Sequence, residues 1–208
     1  TILLNLTRTM NSQADASFSS FRSPLLMNGD DTAILVIDAQ EKLMPLIQNH
    51  DQIQRNIIKL LQGAKALGVT SAATEQYPRG LGTTVEPIRN ELEPFEFSPI
   101  AEKTMFSCRQ CEELITQLLS SGVQNLLLCG IETHICIAQS ALDLMSLGFR
   151  TFICADAVGS RNTLDHQLGI NRMESSGAVL TTVEAAIFEL CMDSKNQAFK
   201  TISKLAQS

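Results

Sequence analysis

The chain has 208 residues, of which 44% are hydrophobic and 18% charged, and its formal net charge is −6. Such a balance suits one globular domain with a single good core and not a disordered segment, and no run approaches the roughly 20 apolar residues of a membrane span. The acidic excess and the lack of any basic run argue against a nucleic-acid partner, because phosphate binding draws on clustered Lys and Arg.

Residues 1–28 stand apart as an N-terminal extension. They are rich in Ser, Thr and Asn, carry Arg8 and Arg22, and hold one acid, Asp15. Ser- and Arg-rich, acid-poor composition matches a mitochondrial transit segment. The plainer readings are an ordinary extension or a translated leader ahead of Met27. The folded domain is expected over 29–208, in a reducing intracellular compartment: cytoplasmic, or mitochondrial if the extension targets it.

Ala33–Asp38 (AILVID) is a continuous apolar run closed by an acid, the pattern of a strand covered on both faces. Ile53, Ile57, Leu60, Leu61 and Ala64 then share one helical face, and the helix stops at Leu67-Gly68. Val69–Thr74 reads as a second strand. From Glu75 to about Phe106 the chain reads as irregular and holds four of the six prolines. Helix Gln110–Ser121 precedes strand Asn125–Cys129, and helix Ile135–Leu147 precedes strand Thr151–Ala155. Helix Asp165–Ser175 precedes strand Ala178–Thr182, and a last helix begins near Val183. Alternating strands and helices with short connections predict an α/β fold, a parallel sheet with helices on both faces.

The six cysteines are too sparse for a secreted disulfide framework. Cys129 and Cys154 lie in apolar runs and read as buried thiols. Cys108 and Cys111 form a CRQC pair. It reads as a redox pair, as half a zinc site, or simply as the start of a helix; no second CxxC or HxxxH completes a zinc site.

In sheets of this kind the ligand site lies beyond the carboxyl ends of the strands, where strand order reverses. Asp38-Ala39-Gln40, Glu75-Gln76-Tyr77, Gly130–Cys136 and Asp156, with Ser160 and Arg161 close behind, occupy those ends. Cys136 falls in the first turn of a helix, where the dipole favours a thiolate and lowers the thiol pKa below its usual value of about 8.5. Asp38 is a candidate proton acceptor for it, and Lys103 a candidate cation to hold the pair in register. Spacing alone leaves a plain α/β domain equally open, since Asp at a strand end often caps a helix, Lys is usually solvated and Cys is usually core.

The segments VIDAQ, TEQYPRGLG, EKTMFSC and GIETHICIAQSALDL, in this order, resemble the isochorismatase-like cysteine hydrolase superfamily, and within it the isochorismatase-domain-containing branch. The resemblance runs from about Thr32 to the C-terminal FKTISKL. It implies a three-layer α/β/α, Rossmann-like fold with a six-stranded parallel sheet in the order 3-2-1-4-5-6. It also implies an Asp–Lys–Cys triad at Asp38, Lys103 and Cys136, and a cis peptide between Ile131 and Glu132. That peptide would aim the Glu132 N–H, with that of Cys136, at one oxyanion. By position, Gln40, Gln76, Tyr77, Phe106 and His134 are the implied pocket walls. Metal-dependent nicotinamidases of the superfamily use an Asp-x-His pair with another His. Here TEQYPRG contains no histidine, and His50, His134 and His166 form no such pair, so neither metal nor cofactor is expected. True isochorismatases do not rely on the cysteine nucleophile. The implied activity is therefore hydrolysis of a small amide or related carbonyl compound through a thioester, by a homo-oligomer, dimer or larger. The competing classes are a non-catalytic oligomeric interaction module that keeps this fold, and a redox protein using Cys108 and Cys111.

Overall fold

The computed structural model describes residues 22–92 and 100–207. Six strands form one sheet: β1 (Thr32–Ile37), β2 (Thr70–Gln76), β3 (Ile100–Lys103), β4 (Asn125–Ile131), β5 (Arg150–Gly159) and β6 (Val179–Thr181). Their order is β3-β2-β1-β4-β5-β6 with every pairing parallel, which is the fold that the sequence motifs imply. Four of the helices matter most here: α1 (His50–Leu67), α4 (Glu112–Ser120), α5 (Ala138–Ser146) and α6 (Thr163–Ser175). The short α2 (Pro78–Leu81) and α3 (Glu86–Leu92) follow β2, and α7 (Val183–Cys191) and α8 (Phe199–Ala206) end the chain.

Side-chain alternation along the strands builds two cores. Ile34, Val36, Leu127, Cys129 and Phe152 point to one side, where α1, α3, α7 and α8 cover them. Leu35, Leu126, Leu128 and Ile153 point to the other, under α4, α5 and α6. All five apolar positions expected on the inner face of α1 are buried there. Strand β3 falls within the segment that reads as irregular. It is a short edge strand, and Glu102 and Lys103 make up half of its IAEK sequence, so no apolar run announces it.

Residues 22–28, which composition assigns to the extension, are docked on the domain. Arg22 donates to the carbonyls of Met27 (2.7 Å) and Glu189 (2.6 Å), and Met27 is fully buried. Arg150 donates to the carbonyls of Pro24 and Leu25 while its guanidinium lies 4.8 Å from the Phe152 ring centre. Arginine side chains thus satisfy the carbonyls of this strap and hold it on the domain. Of the 28 residues to which the transit-segment reading applies, 1–21 lie outside those described. Among the described residues no helix is long and apolar enough to cross a membrane.

Candidate active site

Strand order reverses between β1 and β4, and the candidate residues gather at the carboxyl ends of β1, β3 and β4. Asp38 follows β1 directly, with a left-handed φ of 54° that Asp tolerates better than most residues. Its N–H donates to Thr74 O (3.0 Å). Its carboxylate accepts from Thr74 Oγ1 (2.8 Å) and Lys103 Nζ (2.6 Å), and the Cys136 thiol is close enough to influence its titration. Lys103 is the last residue of β3. Its Nζ also meets Gln76 Oε1 (2.8 Å), Phe106 O (3.0 Å) and Met105 O (3.3 Å), so three ammonium donors face four oxygens. The structure thus brings Asp38, Lys103 and Cys136 into one cluster.

Burial raises the Asp38 carboxyl above its ordinary 3.8, against the pull of Lys103 and the hydrogen bonds from Lys103, Cys136 and Thr74. Burial likewise raises the Cys136 thiol, and the neighbouring Asp38 charge pushes it further up while Lys103 pulls it back. This reverses the expectation of a thiolate favoured by a helix N-terminus. Cys136 lies within a π-helical turn, Thr133–Ile137, that leads into α5, and it is almost wholly buried. A dipole contributes at most about 2 kcal/mol, whereas burial can move a titration by several pH units. Burial therefore favours the neutral thiol at Cys136.

The approach to that turn is tightly specified. Gly130 has φ 114°, and a Cβ placed there would stand 2.0 Å from Ile37 O. The next peptide, Ile131–Glu132, is cis. The Glu132 carbonyl accepts from Ile135 and Ile137 N–H (3.1 and 3.2 Å). Its carboxylate pairs with Arg161, accepting from Arg161 N (3.0 Å), Nε (3.1 Å) and Nη2 (3.1 Å).

The expected pocket walls divide into two groups. Gln40 is fully buried and serves as a brace: its Nε2 donates to Gln76 O (3.0 Å) and Gly82 O (2.6 Å), and its Oε1 accepts from Gln76 N (2.7 Å). Gln76 is also spent inside the protein, donating to Thr104 O (2.7 Å) while accepting from Lys103. A buried amide must use its polar atoms, which is why both turn inward. Tyr77 and Phe106 are about half exposed. His134 is partly exposed, with Nδ1 2.9 Å from Ser160 Oγ. The sequence did not single out Thr74, which is visible only once the β1–β2 register pairs it with Ile37. It also gave no sign of Ser140, one helical turn beyond Cys136, which accepts from Cys108 N (2.9 Å).

All six cysteines are buried free thiols, and burial pushes Cys108 up to about 12. The CRQC pair thus holds no disulfide: Cys108–Gln110 forms a 3-10 turn and Cys111 is the N-cap residue of α4. Among the described residues no three of His, Cys, Asp and Glu gather as metal ligands.

The sequence profile of the Isochorismatase domain matches residues 32–185. Isochorismatase domain-containing protein 2 of Danio rerio is 39% identical over 176 residues, covering 84% of this chain and 86% of that protein. A solved Caenorhabditis elegans structure, described as MAR1 ribonuclease, superposes with a TM-score of 0.81 at 36% identity, covering 88% of this chain and 93% of that one. The YcaC gene product of Escherichia coli, described as an octameric hydrolase of unknown specificity, shares the fold with a TM-score of 0.80 at 23% identity, covering 89% of this chain and 92% of that one.

Proposed function

The chain belongs to the isochorismatase family, and on that premise we propose that it is a metal-independent cysteine hydrolase of a small amide or related carbonyl compound. The observation that carries this reading is the fully buried Asp38 carboxyl, ion-paired with Lys103 at 2.6 Å and close enough to the Cys136 thiol for each to shift the other's titration. As the sulfur attacks the carbonyl carbon, its proton passes to Asp38, so the thiolate never stands free in the apolar site. The oxyanion rests on the backbone N–H groups of Glu132 and Cys136. When the C–N bond breaks, Asp38 returns the proton to the leaving amine and a thioester remains. Asp38 then takes a proton from water, which attacks the thioester, releases the acid and restores the thiol. Lys103 stays charged throughout and holds Asp38 in place.

Tyr77, Phe106 and His134 form the rim that meets the substrate, while Gln40 and Gln76 shape it from behind. The net charge of −6 favours a small molecule over RNA, despite the description of the C. elegans relative. We also place the protein in a homo-oligomer: Leu164 and Leu168, one turn apart on α6, are 69% and 57% exposed, which a monomer rarely tolerates in series.

The test is limited alkylation with iodoacetamide near pH 7, mapped by mass spectrometry, beside a screen of small amides and an RNA substrate. Cys136 should be modified ahead of the other cysteines, and Asp38→Asn should abolish both that preference and amide turnover. A Cys136 no faster than its neighbours, or RNA cleavage in place of amide turnover, would sink the proposal.

A further inference from the structure

The CRQC stretch has no part in the chemistry above, yet it reaches both the lysine and the nucleophile helix. Gln110 Oε1 accepts from Thr104 N (2.8 Å) and Met105 N (2.7 Å), and its amide nitrogen lies 3.2 Å from Thr104 Oγ1. Gln76 grips the other side of the same residue through Thr104 O. The loop so held supplies two of the four oxygens around Lys103 Nζ, the carbonyls of Met105 and Phe106. Two residues before Gln110, Cys108 is fixed to α5: its N–H donates to Ser140 Oγ (2.9 Å), and its Sγ stands 2.8 Å from the same oxygen. A chain of direct contacts thus runs from the helix behind Cys136, through Ser140, Cys108 and Gln110, to the carbonyls that seat Lys103.

We propose that Gln110 is a positioning residue, whose side-chain carbonyl fixes the Thr104–Phe106 loop so that Lys103 stays on Asp38. The alternative for Gln110 is a plain surface residue. It is exposed, where an amide ordinarily bonds to water, and a single acceptor that takes two successive backbone N–H groups is a specific arrangement. Nothing else in the described structure receives the N–H groups of Thr104 and Met105. Without that clamp the two loop carbonyls drift from Nζ, the ammonium follows the loop toward solvent, and Asp38 keeps its buried charge with a weaker partner. The consequence is electrostatic as well as geometric. Both the carboxyl and the thiol lose the cation that draws their titrations down.

This inference rests on the hydrolase reading, so its test must separate the two, and alkylation of Cys136 across pH does so without a substrate. The unaltered protein is measured first. A Cys136 that reacts no faster than the other cysteines defeats the hydrolase reading, and the positioning role with it. Given a reactive Cys136, Gln110→Ala should slow its alkylation at pH 7 about tenfold and raise the inflection by about one pH unit, the lower end of what an opposite charge at close range contributes. Gln110→Glu keeps an oxygen for both N–H groups and should remain within about fivefold of the unaltered protein, since the added charge is exposed. An unchanged inflection in Gln110→Ala overturns the proposal. So does a uniform gain of reactivity at all the cysteines, which marks a purely structural role. If Gln110→Ala does not fold, Gln110→Met, of similar length and without an acceptor oxygen, carries the same two outcomes.

Discussion

Lys103 Nζ lies 2.6 Å from Asp38 Oδ2, and neither side chain has any solvent exposure. Two charges removed from water are costly to bury, and they persist because each is surrounded by further partners: Thr74 and Cys136 on the acid, Gln76 and two carbonyls on the base. A pair of this kind is weak evidence for added stability, and under the proposed mechanism its value lies in holding a base beside a thiol.

Lys103→Met removes one partner and leaves the other charge buried. It should cost about 3–5 kcal/mol at neutral pH. The loss should ease at acidic pH, where the orphaned Asp38 takes up a proton. Asp38→Asn combined with Lys103→Met should recover most of it. Urea denaturation of the parent and the two variants at two pH values measures this; equal costs at both would show that the carboxyl is not the orphaned charge.

Turnover should fall on acidification, because the proposed reaction needs Asp38 as carboxylate. The raised Asp38 titration places the half-point of kcat/KM above the ordinary 3.8. The same shift sets a stability slope of the opposite sign. Between the unfolded carboxyl's value and its raised folded value the native protein holds the extra proton, so Asp38's contribution is full below that window and is lost as pH rises through it. The form that catalyses is therefore the less stable one. Rate profiles and melting curves over the same pH range check both slopes, and parallel slopes would refute the assignment to Asp38.

Gly130→Ala should cost upwards of about 4 kcal/mol, or prevent folding altogether. A methyl group at this left-handed position would stand 2.0 Å from the Ile37 carbonyl oxygen, and neither backbone can retreat from the middle of a sheet. Thermal melting measures it. A variant that melts within a few degrees of the parent would show that β1 and β4 can move apart.

Arg161→Ala tests the turn that precedes Cys136. The arginine side chain is 54% exposed, but its Glu132 partner only 9%, so the carboxylate is the group left short. Stability should drop by about 1–3 kcal/mol. If the Glu132 N–H serves the oxyanion, kcat should fall about tenfold with KM little changed. Steady-state kinetics separates this from a binding role, in which KM alone would rise.

The layered architecture was legible because a sheet covered on both faces writes itself as apolar runs: AILVI for β1 and NLLLC for most of β4. Strand β3 was not, because an edge strand with two charged residues in four has no such run. Asp38 was legible as an acid at a strand end and Cys136 as a thiol at a helix start, whereas Lys103, in the stretch that reads as irregular, was picked out by family resemblance; the electrical state of the proposed triad was not legible. The sequence placed Cys136 at a helix start, while burial among Ile137, Ala138 and the second core sets the thiol. Gln40 and Gln76 were read as facing a ligand by their position alone. Whether an amide points outward or braces a loop depends on which backbone groups the fold leaves near it, and that is settled by pairing across strands.

Lys103 ends β3 and Asp38 directly follows β1, with β2 between the two strands. Neighbouring strands stand about 4.8 Å apart, so the contact is made across two strand spacings, over Gln76, which pairs with Lys103 in the ladder. The sheet therefore acts as a ruler for the side chain that crosses it. A four-carbon stem carrying a compact ammonium meets the carboxylate and two backbone carbonyls at once. Arginine's flat fork presents its donors in one plane and would leave part of that ring of oxygens unserved, so conserving charge at this position does not conserve the fit.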